Sequence, residues 1–175
     1  MHGAAGFILV GVSVLALITH AYAGVIGASW VPTRKRDLTR VIAASRGFRG
    51  KTIIDLGCGD GTVMRAFAAQ YPSSRVIGYE LSAPLWIVAR FRNFFSPFRT
   101  NCRVIFGNAY KVSLSEADLI YCFLLPHAME KLKNKLLREL KPGTIMITYS
   151  FPVAGWRGEE AREQGKLPIY RYVIQ

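Results

Sequence analysis

Two regimes of apolar patterning divide the chain. From Gly3 to Trp30 no side chain is charged unless His20 takes up a proton, and the run from Phe7-Ile8-Leu9-Val10 to Val25-Ile26 is nearly all apolar. As a helix from Ala4 to Ile26 this segment is roughly 35 Å long at about 1.5 Å per residue, against a hydrocarbon core of about 30 Å. A transmembrane anchor is expected there. Beyond it the apolar positions come in short bursts whose period changes repeatedly. Leu38, Val41 and Ile42 recur at helical spacing within 35–45, and Gly47 and Gly50 end that stretch. Ile53 to Leu56 reads as a buried strand, and Val63, Met64, Phe67 and Ala68 as the inner face of a helix that stops before Pro72. Arg75 to Glu80 is a second strand. Ser82-Ala83-Pro84 opens a helix, with Pro at an early helical position, that carries Leu85, Trp86, Val88 and Ala89 toward Phe95. Further strands are expected at Cys102–Phe106, Leu119–Phe123 and 144–151. A helix carrying Met129, Leu132, Leu136, Leu137 and Leu140 ends at Pro142-Gly143, and Ile169 to Ile174 is expected as a last, antiparallel strand.

Strands alternating with helices at these lengths predict an α/β fold: a Rossmann-like, doubly wound and mostly parallel sheet with ligands at its carboxyl ends. The division expected is 1–30 for the anchor and a short linker, and 31–175 for one folded domain.

The chemistry concentrates where the first strand breaks. Asp55-Leu56-Gly57-Cys58-Gly59-Asp60-Gly61 places three glycines on alternate positions, a strand turning sharply into a helix with its backbone bare enough for a ligand to lie against. Glu80 ends the neighbouring strand, where a carboxylate can accept hydrogen bonds from the vicinal hydroxyls of a ribose. A dinucleotide is disfavoured. Its fingerprint needs a third glycine where this chain has Thr62, and Asp55 would repel a pyrophosphate.

Charge then bears on partners. The net charge of +12 lies wholly beyond residue 33 and suits an anionic surface, either lipid headgroups or nucleic acid. The anchor favours the lipid. Arg34, Lys35, Arg36 and Arg40 follow the apolar segment closely and no Lys or Arg precedes it, so the folded domain is expected on the cytoplasmic side, with Trp30 at the interface. A bacterial inner membrane is expected, a mitochondrial inner membrane being the other possibility. Ala21-Tyr22-Ala23 also resembles a signal-peptidase site, and cleavage before Gly24 is the competing reading. Cys58, Cys102 and Cys122 have no paired spacing for zinc, and no metal site is expected.

The motif Asp-Leu-Gly-Cys-Gly-Asp-Gly resembles the first motif of the seven-strand methyltransferases that use S-adenosylmethionine. With Val31-Pro32-Thr33, Val76 to Leu81, Leu124-Leu125-Pro126, Lys135 to Leu140, and Phe151-Pro152 with Trp156, most of 31–156 is similar to the archaeal protein-lysine methyltransferase and its mitochondrial relatives. Those relatives act on lysines of the ATP synthase c-subunit and the adenine nucleotide translocase. The resemblance implies S-adenosylmethionine as cofactor, with Asp55 near its cationic amino group, Gly57 and Gly59 under it, Glu80 on the ribose and Asn108 facing adenine. Asn108 stands where the family usually has an acid, and Cys58 where it often has Ser.

It also implies a membrane protein with an accessible lysine as substrate, and a channel for that lysine lined by Phe123, Pro126, Phe151 and Trp156. The C-terminal part after Trp156 is short, so the sheet is expected to be abbreviated there. No catalytic base is assigned: the sulfonium already presents an electrophilic methyl, and the site has only to position and desolvate an amine. His127 is read as a polar residue at a helix start. Three alternatives stay open. A nucleic-acid enzyme is disfavoured because Phe123-Leu124-Leu125-Pro126 lacks the Asn or Asp that amino-group methylation of bases uses. A lipid, quinone or other small-molecule methyltransferase would be served equally by an anchor. A non-catalytic cofactor-binding module is the third.

Overall fold

The computed structural model describes residues 31–175 and, before them, residues 6, 7, 10–14, 17, 18 and 21, which are helical. Among the described residues no helix is long and apolar enough to cross a membrane. The anchor expected over 4–26, and Trp30 at its border, fall largely outside the described residues.

Seven strands form one sheet: β1 (Thr52–Leu56), β2 (Arg75–Glu80), β3 (Cys102–Phe106), β4 (Leu119–Cys122), β5 (Ile145–Tyr149), β6 (Glu159–Ala161) and β7 (Ile169–Val173). Their order is β3-β2-β1-β4-β5-β7-β6. The first five are parallel to one another, β7 runs antiparallel to β5, and β6 runs antiparallel to β7. Four α-helices pack on the sheet: α1 (Leu38–Ala44), α2 (Thr62–Gln70), α3 (Ala83–Phe94) and α4 (Pro126–Glu139). A 3-10 turn over Lys35–Asp37 leads into α1, so the helix expected from residue 35 is shorter and begins tightly wound.

The layers follow from alternation along the strands. Ile53 of β1 and Tyr121 of β4 join Val63, Met64 and Phe67 of α2 and Ala89 of α3 in one core. Ile54 and Leu56 join Leu132 and Leu136 of α4 in a second core on the other face. Met64, Phe67, Leu132 and Leu136 are fully buried, each worth about 1.5–3 kcal/mol of transfer free energy. The strand order reverses between β1 and β4, and at that point their carboxyl ends part to leave a crevice.

One expectation needs correction. Among the described residues the sheet has seven strands and is not abbreviated, because Glu159–Ala161 pairs with β7; its three residues are all exposed and carry no apolar alternation by which to be found. Helix α3 buries Ala89 and leaves Val88 41% exposed.

A buried ion pair ties the entry segment to the sheet. Asp37 is fully buried, accepts a hydrogen bond from Arg40 at 2.9 Å, and receives the Tyr149 hydroxyl of β5 at 2.6 Å. Arg40 also pairs with Glu163 at 2.7 Å and donates to the Leu167 and Ala161 carbonyls, which latches the β6–β7 hairpin. Burial alone would raise the Asp37 pKa, but the bonds from Tyr149 and Arg40 outweigh it and hold the carboxyl below its ordinary value. Asp37→Ala leaves Arg40 without this partner and should lower unfolding free energy by about 3–5 kcal/mol. Tyr149→Phe, which keeps the ion pair, should cost about 1.5–3 kcal/mol. Denaturant titration measures both, and equal losses would show that the hydroxyl, not the ion pair, carries the latch.

Candidate cofactor and acceptor site

The glycine turn owes its shape to backbone angles that side chains disfavour. Gly57, Gly59 and Gly61 all have positive φ, at 73°, 55° and 77°, so the chain reverses between β1 and α2 without Cβ strain. The N–H groups of Gly57 and Cys58 donate to the Tyr79 carbonyl at 2.9 and 3.0 Å. Glu80, 5% exposed, receives the Gly59 N–H on one oxygen and the Ser82 N–H on the other, both at 2.8 Å. Glu80 is therefore a brace for the turn as well as a group facing the crevice. A carboxylate oxygen that accepts one hydrogen bond has a second lone pair for another donor.

Asp55 lies one strand over, paired in register with Gly78 of β2 and Tyr121 of β4. It is 1% exposed, and its Oδ2 has no hydrogen-bond partner. Burial, and then the charge of Glu80, push its pKa up to about 8, against the opposing pull of the Met64 N–H. An unpartnered carboxyl oxygen at the floor of a cleft fits a cationic ligand group, whose charge would take the place of the lost water.

Two adjoining hollows meet at this point. One is lined among others by Thr33, Asp55, Gly57, Thr62, Tyr121 and Phe123. The other is lined among others by Tyr79, Leu81, Asn108, Ala109 and Tyr110. Gly57, Glu80 and Leu124 belong to both. A ligand laid across them would put a cation at Asp55, a ribose at Glu80 and a flat ring beside Asn108. The Asn108 Oδ1 already accepts the Tyr110 N–H at 2.9 Å, which fixes the amide in its loop. Its second lone pair could still take an amine.

Of the expected acceptor channel, Phe123 lines the Asp55 hollow. Phe123 meets Tyr149 edge-on at 4.8 Å and stacks with Phe151 at 6.4 Å, so rings from the ends of β4 and β5 form one aromatic wall. Phe151 follows Ser150, whose φ of 72° is the one positive value at a non-glycine residue among those described, a strained backbone of the kind that re-aims a neighbouring side chain. Pro126 opens α4 and does not line either hollow. Trp156 packs edge-on against Tyr172 at 5.7 Å and is in contact with the core under α4, again away from the cleft. Sequence reasoning assigned no role to Tyr121, whose hydroxyl is 2.6 Å from Thr33 Oγ1 and pins the Val31-Pro32-Thr33 segment over the Asp55 hollow. A tyrosine inside a buried strand was the available signal, since its hydroxyl requires a partner.

Known proteins resemble this chain in sequence and fold. The ANTKMT methyltransferase domain matches residues 55–160. The protein-lysine N-methyltransferase of Saccharolobus islandicus is 30% identical over 154 residues, covering 83% of this chain and 92% of that protein. The human lysine N-methyltransferase of the ATP synthase c-subunit is 27% identical over 143 residues, 82% of this chain and 60% of its own length. This chain thus spans about three fifths of the human relative. Among solved structures, an RNA methyltransferase from Salinibacter ruber in complex with S-adenosyl-L-homocysteine superposes with a TM-score of 0.77 at 26% identity, over 82% of this chain and 94% of that one.

The raised pKa of Asp55 has a definite sign. The folded chain holds a proton on Asp55 between pH 3.8 and about 8 that the unfolded chain has lost. Stability therefore falls as pH rises through that window, by about 1.4 kcal/mol per pH unit from this group, and levels off above it. Asp55→Asn should abolish this component and make the fold more stable than the parent at pH 8. It should also weaken S-adenosylhomocysteine binding by about tenfold or more, since an amide offers no charge to the ligand's amine. Calorimetry at pH 7 in buffers of different ionisation enthalpy should show protons released on binding to the parent and fewer for Asp55→Asn. Glu80→Gln should both weaken binding and speed hydrogen exchange at the Gly59 amide; unchanged exchange there would refute the brace.

Proposed function

Because this chain belongs to the ANTKMT methyltransferase domain family, and is accordingly an S-adenosylmethionine-dependent methyltransferase, we propose that it methylates lysine side chains of a membrane-associated protein. The observation that carries this reading is the ring of Phe123, which lines the Asp55 hollow and stacks with Phe151 at 6.4 Å. A free lysine with a pKa near 10.4 is neutral in roughly one molecule in a few thousand at pH 7, about 4–5 kcal/mol uphill. Rings that exclude water make the charged form less favourable and lower that pKa. When bound, the cofactor supplies an electrophilic methyl on a sulfonium, whose positive charge acts in the same direction. Phe123 and Phe151 then align the amine with the Asp55 end of the cleft, and orientation contributes much of the remaining rate. His127 lies exposed at the start of α4, and no proton acceptor is needed beyond water.

Relatives whose names specify protein lysines support the choice of acceptor. A membrane location rests on the uncharged run over 4–26 and the arginines that follow it, with the folded domain on the cytoplasmic side. Phe7, Val10 and Leu17, described residues of that run, are 81, 62 and 69% exposed, as suits side chains meant for lipid. An RNA substrate is the second reading, favoured by the Salinibacter neighbour and by the net charge of +12. Against it, β4 runs into Phe123-Leu124-Leu125-Pro126, with no Asn or Asp to hold a base amine.

The test is transfer of labelled methyl from S-adenosylmethionine by the full chain to membrane fractions, soluble protein and RNA. Methyl-lysine in a membrane protein, found by mass spectrometry, is the expected outcome. Label confined to RNA, or to lipid or quinone, would replace the lysine reading. Phe151→Ala should lower transfer by about tenfold or more while the Kd for S-adenosylhomocysteine stays within about threefold, since the ring aligns the acceptor and does not touch the cofactor cleft.

A further inference from the structure

Helix α3 carries a stripe of apolar side chains on which nothing described is packed. Ile87, Phe91, Phe94 and Phe95 are 56, 66, 65 and 69% exposed. Residues 87, 91 and 94, spaced by four and then three, lie on one side of the helix, and Phe95 is its C-terminal cap. The stripe continues onto the edge strand β3 through Ile105 and Phe106, 36 and 47% exposed. A contiguous apolar patch of this kind marks a surface that meets something else.

The rim identifies the chemistry of that partner. Arg90, Arg99 and Arg103 line a surface depression with Phe94, Ile105 and Phe106, Arg92 lines another with Phe91 and Phe95, and no acidic residue occurs between Glu80 and Glu116. Among the described residues only Arg92 of these four pairs with a carboxylate, that of Asp60. Arg90 is exposed, with its guanidinium over the Trp86 ring at 5.3 Å. Rings and aliphatic side chains beside arginines, three of them with no carboxylate partner among the described residues, match an anionic bilayer surface, with an acyl boundary for the one and phosphates for the other.

We propose that α3 and the adjoining edge of β3 form a lipid-docking face, lying in the plane of an anionic membrane with Phe91, Phe94 and Phe95 below the phosphates. Two other occupants fit less well. Residues 1–30 contain no acid to meet the arginines. For nucleic acid, Ile87, Val88 and Ile105 have no use, and the phenylalanines engage one another edge-on at 4.9 and 5.1 Å and do not stand apart as stacking platforms. The position also suits the cleft. Phe91 and Phe95 share a surface depression with Lys35 and Thr62, and Thr62 lines the Asp55 hollow as well. Docking therefore brings the mouth of the cleft to headgroup level. It orients the domain by a contact separate from residues 1–30, and it does not depend on the lysine reading, which survives if the docking face fails.

Site-selective spin labelling reads this directly, because Cys58, Cys102 and Cys122 are buried free thiols whose pKa values burial raises. Label attaches at Phe94→Cys, or at Leu137→Cys on α4, which covers the opposite face and is 60% exposed. The full chain is reconstituted into phosphatidylcholine vesicles with or without phosphatidylglycerol. At position 94, collision with a water-soluble nickel chelate should fall by about fivefold or more when phosphatidylglycerol is present, and collision with oxygen should rise. Position 137 should stay aqueous in both. Arg99→Glu with Arg103→Glu should return position 94 to its aqueous value. The proposal is overturned if position 94 is as water-accessible as 137 in anionic vesicles. It is equally overturned if 94 is shielded to the same degree in neutral vesicles, which would assign the face to residues 1–30 or a second copy, or if RNA shields it without phosphatidylglycerol.

Discussion

The carboxyl of Asp55 is held out of water with one oxygen unpartnered, and the arrangement around it makes sense as the consequence. Burial is the larger cause of its raised pKa and the Glu80 charge the second, so the cleft carries an electrostatic penalty that folding must offset elsewhere. A ligand bringing a cation to the cleft would relieve that penalty at Asp55. The binding energy of such a ligand is partly a release of strain already in the protein. Positive φ at Gly57, Gly59 and Gly61, and the brace from Glu80 to the Gly59 amide, set the path of the turn that follows Asp55.

The rest of the domain holds that cleft open and covers it. Reversal of strand order between β1 and β4 creates the gap, and Tyr121, next to Asp55 in the register, fastens Val31-Pro32-Thr33 across it through Thr33. Tyr149 does the corresponding task one strand further out by holding Asp37, whose partner Arg40 secures the β6–β7 hairpin. Two buried hydroxyls thus couple the entry segment to the sheet at neighbouring strands. The segment that precedes the fold in sequence becomes part of the wall of the site.

Much of this was legible in the order of residues. The parallel strands, the glycine turn and the placing of Asp55 and Glu80 at one cleft follow from periodicity and from the few residue types that a strand-to-helix reversal with a ligand tolerates. Strand β6 was not legible, because Glu159-Glu160-Ala161 is exposed on both faces and is a strand only by virtue of its partner β7. The second task of Glu80 was hidden for a related reason: its partners are backbone amides, which every sequence has everywhere. Trp156 was placed in the channel by resemblance, whereas its position is set by packing against Tyr172, a contact between residues 16 apart that no local pattern announces.

Helix α3 shows where a correct local reading misleads about the whole. Its apolar residues announce a helix, and a helix forms, but Ala89 is its only buried residue. An ordinary amphipathic helix hides one stripe and turns charge outward on the other. Here the inner side puts Ala89 in the core beside β2 and β3 with Trp86 packed partly buried against it, while Ile87, Phe91 and Phe94 face out with arginines between. Exposing those rings costs transfer free energy that water alone never returns. The contrast with α4 is direct, since that helix buries Met129, Leu132 and Leu136 and presents Lys131, Asn134 and Arg138 to solvent. Two helices of one domain, on opposite faces of one sheet, therefore meet different surroundings: α4 is finished by water, and α3 is finished only by a surface that is apolar within and anionic at its edge.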